Sequence, residues 1–156
     1  MNGKTFAAFF PLALSLCSCD QEPVAIEIFP AVLQSPQIEA PAEWRPVQFA
    51  GSVRSPAGTY LVSPDRLFSD WNIAAFKPSP QADGSVAINV RLNEYARRKM
   101  AEFSSQADNL KKPLAVNVNG RWADFTPLLG PVGNRMTLYG LTASEAETLQ
   151  HQIDVR

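Results

Sequence analysis

The sequence predicts an α+β fold: an antiparallel sheet with two helices packed on one face, preceded by a proline-rich tether. Two observations predict this class. Short segments of alternating apolar residues recur in the C-terminal part of the chain, and two further segments there repeat apolar residues at helical spacing. The two helical segments are separated by several strand segments instead of alternating strictly with them, which is typical of α+β folds.

The composition fits one folded domain and disfavours several classes of function. The chain has 156 residues, 46% of them hydrophobic and 19% charged, with a formal net charge of −1. A chain with a net charge near zero is poorly suited to bind the phosphate backbone of nucleic acid electrostatically, so no nucleic-acid partner is expected. With two cysteines and one histidine, a four-ligand zinc site built from Cys and His is excluded.

The N-terminus has the pattern of an export signal. Lys4 precedes the apolar stretch 5–16, which has the length of a signal-peptide core and is too short to span a bilayer as a helix. Residues 1–18 are therefore predicted to be a signal peptide.

The segment that ends this stretch, LCSC at 16–19, resembles the lipobox of bacterial lipoproteins. The resemblance implies that Cys19 is alkylated by diacylglycerol and anchors the protein in the membrane. Asp20 directly after it resembles an inner-membrane retention signal. We therefore expect a lipid-anchored protein on the periplasmic face of the inner membrane, with the outer membrane as the alternative. The other interpretation of the motif is an ordinary signal peptide with incidental cysteines.

Residues 19–57 are predicted to form a proline-rich tether. Proline recurs there too often for a helix, at positions 23, 30, 36, 41, 46 and 56. Val24, Ile26 and Ile28 alternate with Ala25 and Glu27, which predicts one short strand docked on the edge of the domain. A plain spacer that holds the domain off the bilayer is the alternative.

The α+β domain is predicted to span residues 58–156. Its strand segments are 59–62, 71–76, 86–92, 114–118, 121–125 and 135–139. Asn119-Gly120 suits the positive dihedral angles of a type I′ turn, so the fourth and fifth of these strands are expected to form a hairpin.

Two amphipathic helices are predicted in the same region. Asn93 is the expected N-cap of a helix over 94–107, and Thr142 with Glu145 has the spacing of a capping box at the start of the second helix. The positions expected to face the core are Ala96, Met100, Phe103, Ala107, Ala146, Leu149 and Ile153.

Three segments of this region resemble the head subdomain of the first periplasmic domain (P1) of SecD, from the SecDF protein-translocation complex. They are residues 85–104, 114–122 and 125–149. The family's turn, proline, glycines and Glu-Ala pair match Asn119-Gly120, Pro127, Gly133, Gly140 and Glu145-Ala146. The resemblance implies a SecD-head-like fold that contacts extended or unfolded polypeptide and is accessory to protein export.

The sequence contains no recognisable catalytic constellation, so we expect a noncatalytic protein without cofactor or metal. His151, the single histidine, lies three residues before Asp154, and a solvated histidine near a helix C-terminus explains it most simply. The carboxylates at positions 65, 70, 124, 145 and 147 show no spacing that predicts a catalytic pair. The alternatives are a small envelope hydrolase that uses a carboxylate and a structural subunit of an envelope complex.

Aromatic residues are the candidate contacts for a protein or peptide partner. Trp71, Trp122 and Phe125 are the side chains expected to line a peptide-docking groove beside a sheet edge. Burial in the core is the alternative for the same positions. The sequence leaves the oligomeric state open.

Overall fold

The structure, a computed structural model, describes residues 22–39 and 41–156. The strands in these residues are β1 (Ile26–Leu33), β2 (Arg45–Phe49), β3 (Gly58–Val62), β4 (Phe68–Ser69), β5 (Ile73–Pro80), β6 (Val86–Leu92), β7 (Pro113–Val118), β8 (Arg121–Pro127) and β9 (Arg135–Leu141). The helices are α1 (Glu94–Ser105) and α2 (Ala143–Asp154). The predicted α+β class is confirmed, and the elements expected from residue 86 onward form where the sequence predicts them.

The antiparallel strands are divided between two sheets. The larger sheet has the order β2-β3-β1-β7-β8, with the short β4 paired to β1, and the smaller sheet has the order β5-β6-β9. The two sheets meet where β8 and β9 approach each other at Gly140. A Cβ atom on Gly140, whose φ is +86°, would lie 2.3 Å from the carbonyl oxygen of Ala123. Only glycine permits this close approach between the sheets.

Strand β1 lies in the middle of the larger sheet, although its residues fall within the predicted tether. It pairs with β7 on one side and with β3 and β4 on the other. Val24, Ile26 and Ile28 are buried, and the main chain of Val24 exchanges two hydrogen bonds with the side-chain amide of Gln152 in α2, at 2.5 and 3.1 Å. The prediction of an edge-docked strand and of a domain beginning at residue 58 is therefore wrong.

The prolines misled this prediction because Pro30 occupies a special position in β1. It faces the interruption between β3 and β4, where its carbonyl accepts a hydrogen bond from the N–H of Ser63 at 2.9 Å. The N–H and C=O of one strand residue point to the same side, so the N–H that proline lacks would also face this interruption. A central strand therefore tolerates proline here.

Both sheets and both helices bury one face in a common core of mainly aliphatic residues, which we call the shared core. The buried members of the shared core include Ile26, Ile28, Ile88, Val90, Met100, Val116, Leu138, Leu141 and Leu149. Of the predicted core positions, Ala96, Met100, Ala146 and Leu149 are buried, and Phe103 and Ile153 pack at its margin. Ala107 is exposed, because α1 ends at Ser105 and the chain continues as a 3-10 turn.

The predicted local signals are confirmed. Asn93 caps α1 by accepting the N–H of Ala96 at 3.0 Å. Thr142 accepts the N–H of Glu145 at 3.1 Å, and the Glu145 carboxylate accepts the N–H of Thr142 at 2.8 Å. Asn119 and Gly120 adopt φ values of 50° and 83°, as the hairpin between β7 and β8 requires. Within the described ranges, none of the helices is long and apolar enough to cross a membrane.

Candidate functional site

The face of the larger sheet that points away from the shared core carries a cluster of rings, which we call the aromatic core. Its rings belong to Phe29, Phe49, Tyr60, Trp122 and Phe125. The rings of Tyr60 and Phe125 are stacked with their centroids 3.9 Å apart, and Phe29 meets Trp122 edge to face at 6.0 Å. Aromatic contacts of this kind bury large apolar areas.

The aromatic core shows that the larger sheet is strongly curled. Strands β2 and β8 stand at opposite ends of the strand order, four spacings or about 19 Å apart in a flat sheet. Phe49 in β2 nevertheless has its ring centroid 5.0 Å from that of Phe125 in β8. The sheet therefore curls around the rings, and the two end strands face each other across them.

At one end of the curled sheet the aromatic core opens into a cleft of about 290 Å³, which we call the aromatic cleft. The residues that line it are Glu27, Arg45, Val47, Asn117, Gly120 and Trp122. The guanidinium of Arg45 lies 5.5 Å from the ring of Trp122 and 6.0 Å from the ring of Phe29. This cation–π arrangement bridges the space between β2 and β8.

The opposite end of the aromatic core is closed by the loop 50–57. Ser55 donates its hydroxyl to the carbonyl oxygen of Phe125 at 2.6 Å, and the Tyr60 hydroxyl donates to the carbonyl oxygen of Pro56 at 3.0 Å. Burial raises the pKa of Tyr60, and the negative charge of Asp124 raises it further. The Tyr60 hydroxyl therefore stays protonated and keeps its hydrogen bond to the loop.

The carboxylate of Asp124 holds the same loop in place. It accepts hydrogen bonds from Ser52 at 2.7 Å and from the hydroxyl of Thr126. It also lies 3.2 Å from the hydroxyl of Ser55, whose single proton it shares with the carbonyl oxygen of Phe125. With three hydroxyl donors around it, this buried carboxylate acts as a structural acceptor. Serine hydroxyls contact this carboxylate. The single histidine, His151, does not belong to this group, because it is exposed on α2.

The three predicted peptide-contact residues do not share one surface. Trp122 is half-buried and lines the aromatic cleft. Phe125 is only 1% exposed inside the aromatic core, so its proposed contact with a peptide is wrong: its ring faces the curled interior. Trp71 is 73% exposed in the 3-10 turn Asp70–Asn72, where the guanidinium of Arg156 lies 4.1 Å from its ring.

Sequence reasoning missed Glu27, Arg45 and Val47, because all three fall in the segment predicted to be a tether. Val47 and Phe49 alternate with polar residues, and this short period-two pattern was the available signal for β2. The predicted lipidation residue Cys19, the sorting residue Asp20 and the signal peptide 1–18 lie outside the described residues. In the described part of the chain, three or more His, Cys, Asp or Glu side chains do not gather into a metal-binding arrangement.

The described residues form a small α+β domain. Its curled sheet presents an aromatic cleft, and a second sheet shares its core with two helices. Solved structures with a similar fold include two of SecDF. One is described as a membrane component, SecDF, that enhances protein export, with a TM-score of 0.51 at 12% identity. The other is a crystal structure of SecDF in a super-membrane-facing form, with a TM-score of 0.52 at 14% identity.

The similarity covers most of this chain and a part of each SecDF chain. It includes 82% and 81% of this chain, and 62% and 18% of the two SecDF chains, respectively. No protein-family profile and no curated protein sequence matches the chain. At these identities the comparison concerns the fold, and the SecD-like fold expected from the sequence is confirmed at that level.

Proposed function

We propose that this protein is a noncatalytic, lipid-anchored component of the bacterial cell envelope that binds extended polypeptide in the aromatic cleft, as an accessory to protein export. The observation that carries the proposal is the cleft itself, an aromatic-floored opening between the two end strands of a curled sheet. The fold shared with SecDF supports the link to export, and the lipobox-like segment supports the anchor.

The geometry of the cleft suits one or two side chains of an extended chain. Its volume of about 290 Å³ lies at the lower end of the range of ligand pockets. The indole of Trp122 offers a flat apolar surface, and Arg45 places a positive charge at the rim. The carboxylate of Glu27, also at the rim, is paired with Arg66 at 2.6 Å. Recognition of this kind depends little on the exact sequence of the bound chain.

Strand β2 gives the bound chain an edge to follow. It has a hydrogen-bonded neighbour, β3, on one side only. An extended peptide can add to such an edge through its main chain. Pro46 has no N–H to donate, so this edge can form only some of the main-chain hydrogen bonds with an added strand. Stacking of a side chain of the bound peptide on Trp122 therefore contributes more to binding than the edge does.

The engagement of the buried carboxylates supports a noncatalytic role. Asp70 accepts a salt bridge from Arg156 at 2.6 Å, and Asp124 is surrounded by hydroxyl donors. A hydrolytic carboxylate must be free to exchange protons with a substrate or a water molecule. Both carboxylates instead form contacts that hold segments of the fold together.

Binding is tested with a permanently unfolded probe, reduced and carboxymethylated α-lactalbumin carrying a fluorescent label. Its anisotropy is measured against the wild-type protein, the cleft variants Val47→Asp and Arg45→Gln, and the control Leu129→Asp, whose parent side chain is 82% exposed. We expect at least a tenfold weaker affinity for Val47→Asp, a smaller loss for Arg45→Gln and no change for the control. Equal binding by all four proteins, or none by the wild type, contradicts the proposal.

The anchor is tested by membrane fractionation and intact-mass analysis of the wild type and of Cys19→Ser. The wild type is expected in the membrane fraction with the added acyl mass, and the variant is expected without it. If the two proteins have the same unmodified mass, the lipid anchor is refuted, and peptide binding then stands on the anisotropy measurement alone.

A further inference from the structure

The smaller sheet has an outer face that carries positive charge without compensation. Residues 86, 88, 90 and 92 of β6 point into the shared core, so residues 87, 89 and 91 face away from it. The strand register aligns Arg91 with Ala75 of β5 and Arg135 of β9, and the next row contains Lys77, Asn89 and Thr137. We call the surface formed by Lys77, Arg91 and Arg135 the basic face.

The three cations of the basic face are exposed and free of acidic partners. Among the described residues, none of them forms a salt bridge or a side-chain hydrogen bond with another side chain. They line a shared depression of about 270 Å³ together with Ala75, Phe76 and Asn89. The rows of the sheet that form this face contain no aspartate or glutamate.

Without a bound anion, this arrangement of like charges is mildly unfavourable. Arg91 and Arg135 are direct cross-strand partners, and like charges in that position destabilise a sheet. Two guanidinium groups side by side match the oxygen pattern of phosphate, which accepts paired N–H donors. The ligand chemistry that this face fits is therefore a phosphate group.

The basic face begins at the end of the domain where the chain enters it. The N–H of Ile26 donates to Asp70 at 3.2 Å, and the N–H of Asn93 donates to the carbonyl oxygen of Asn72 at 2.8 Å. The 3-10 turn Asp70–Asn72 thus joins the start of β1 to the start of β5 and the end of β6. Arg91 lies two residues from Asn93 along β6.

The length of chain outside the domain places this end close to the predicted anchor. Four residues separate Cys19 from Val24, which is already buried in the domain. Fully extended, that segment spans at most about 17 Å. A lipid on Cys19 therefore holds the entry end of the domain at the headgroup region.

Trp71 lies at the same end of the domain and is suited to contact a membrane surface. Its side chain is 73% exposed, and its ring is covered on one side by the guanidinium of Arg156 at 4.1 Å. Tryptophan with a nearby cation is typical of side chains that lie at the level of lipid headgroups. The turn therefore offers an aromatic contact beside the basic face.

We propose that the basic face and Trp71 dock the domain on the phosphate-bearing headgroups of an anionic bilayer. The proposal rests on the membrane-anchoring part of the proposed function, because a short anchor brings this end to the bilayer. It is independent of peptide binding in the aromatic cleft, which lies on the other sheet.

The test uses the full chain purified from membranes and reconstituted into vesicles whose lipids carry brominated acyl chains, which quench nearby tryptophan. Flotation of the vesicles reports the anchor, and the loss of quenching in Trp71→Phe relative to the wild type reports docking of the domain. We expect Trp71 quenching in phosphatidylglycerol vesicles to be at least twofold stronger than in phosphatidylcholine vesicles and to weaken with added salt.

Paired variants with equal charge loss separate docking from general electrostatics. Arg91→Gln with Arg135→Gln is expected to reduce the Trp71 quenching at least twofold without changing flotation. Lys111→Gln with Lys112→Gln, at the far end of β7 from the chain entry, is expected to leave both unchanged. Lys111 already has a φ of 68°, so its exchange for glutamine adds no new backbone strain.

The outcomes distinguish the two proposals. If the wild-type protein floats with the vesicles but Trp71 is not quenched, docking is refuted and the lipid anchor is still supported. If the wild-type protein does not float, both the anchor and docking are refuted. Equal effects of the two variant pairs also overturn docking at this face. Binding of a polyglutamate peptide that depends on Arg91 and Arg135, with no vesicle quenching, would make the face a protein-docking site instead of a membrane contact.

Discussion

The shared core and the aromatic core lie on opposite faces of the same central strand, and they are built differently. In β1, Ile26 and Ile28 point into the shared core, whereas Phe29 and Ala31 point into the aromatic core. The first is covered by a second sheet and two helices and consists of aliphatic side chains. The second has no helix over it, and the sheet instead curls around large rings that fill the space.

The larger sheet shows how an apolar face without a helical layer is buried. An apolar sheet face must be covered by another element or by the sheet itself. Covering by curling is incomplete at the ends, so one end needs the loop 50–57, held by Asp124, and the other end remains open as the aromatic cleft. The less completely covered core is therefore the one that opens into a cleft, which is the proposed binding site.

The largest effect is expected when both cores lose their common strand. A chain that begins at residue 58 lacks β1 and β2, and β7 then has no partner on its inner side. We expect it to show no cooperative thermal unfolding by circular dichroism, whereas a chain that begins at residue 22 unfolds in one transition. Cooperative unfolding of the shorter chain would show that the shared core forms without β1.

Ile28→Ala probes the shared core alone. The side chain is fully buried there, so its truncation is expected to lower the free energy of unfolding by about 2 to 5 kcal/mol in urea denaturation. The exposed Leu129→Ala is the matched control, with an expected change of less than about 0.5 kcal/mol. A loss at Ile28 as small as in the control would refute the assigned face of β1.

Gly140→Ala probes the junction between the two sheets. The new methyl group would contact the carbonyl of Ala123, and the residue would keep a left-handed φ, so a loss of about 1 to 3 kcal/mol or more is expected. Gly133→Ala is the control, because a Cβ there meets no atom within 4 Å. Equal stability of the two variants in urea would mean that the sheets are not in contact at this point.

Ser55→Ala probes the closed end of the aromatic core. It removes the hydrogen bonds to the carbonyl oxygen of Phe125 and to Asp124, with an expected loss of about 1 kcal/mol. Near-ultraviolet circular dichroism reports the packing of the rings, and its signal is expected to weaken at the same time. An unchanged spectrum would show that the loop does not order the aromatic core.

The smallest effect is expected outside both cores, at Glu94. A hydrogen bond from Arg97 lowers the pKa of Glu94 below its ordinary value of 4.5. The stabilisation is therefore fully present above that value and is lost as the pH falls through the lowered pKa. The difference in Tm between the wild type and Glu94→Gln should be small at neutral pH and vanish in strong acid. A difference in Tm that grows as the pH falls would contradict this prediction.

The sequence predicted the elements from residue 86 onward because their patterns are local. Alternation marks β6 and β7, the Asn119-Gly120 pair marks the hairpin, and caps at Asn93 and Thr142 mark the helix starts. Each of these signals depends on neighbours in the sequence, so no tertiary information was needed.

The role of β1 could not be predicted in the same way, because it depends on partners far along the chain. Its prolines disfavoured a central strand, and only the interruption between β3 and β4 makes Pro30 acceptable. The curl of the larger sheet was equally hidden, so Phe125 was expected at a surface that it does not reach. The aromatic cleft was missed because half of its lining belongs to the segment predicted to be a tether.

The hydrogen bonds between Val24 and Gln152 limit when the domain can fold. These residues are 128 positions apart, and β1 itself pairs with β7 some 90 positions later in the chain. Contacts of such sequence separation form slowly, since long loops must close before any of them contribute stability. A chain released gradually from its N-terminus therefore cannot complete this domain until its last helix has emerged. The topology therefore delays folding of this domain until α2 is available, and the strands made before it stay without their full set of partners for that time.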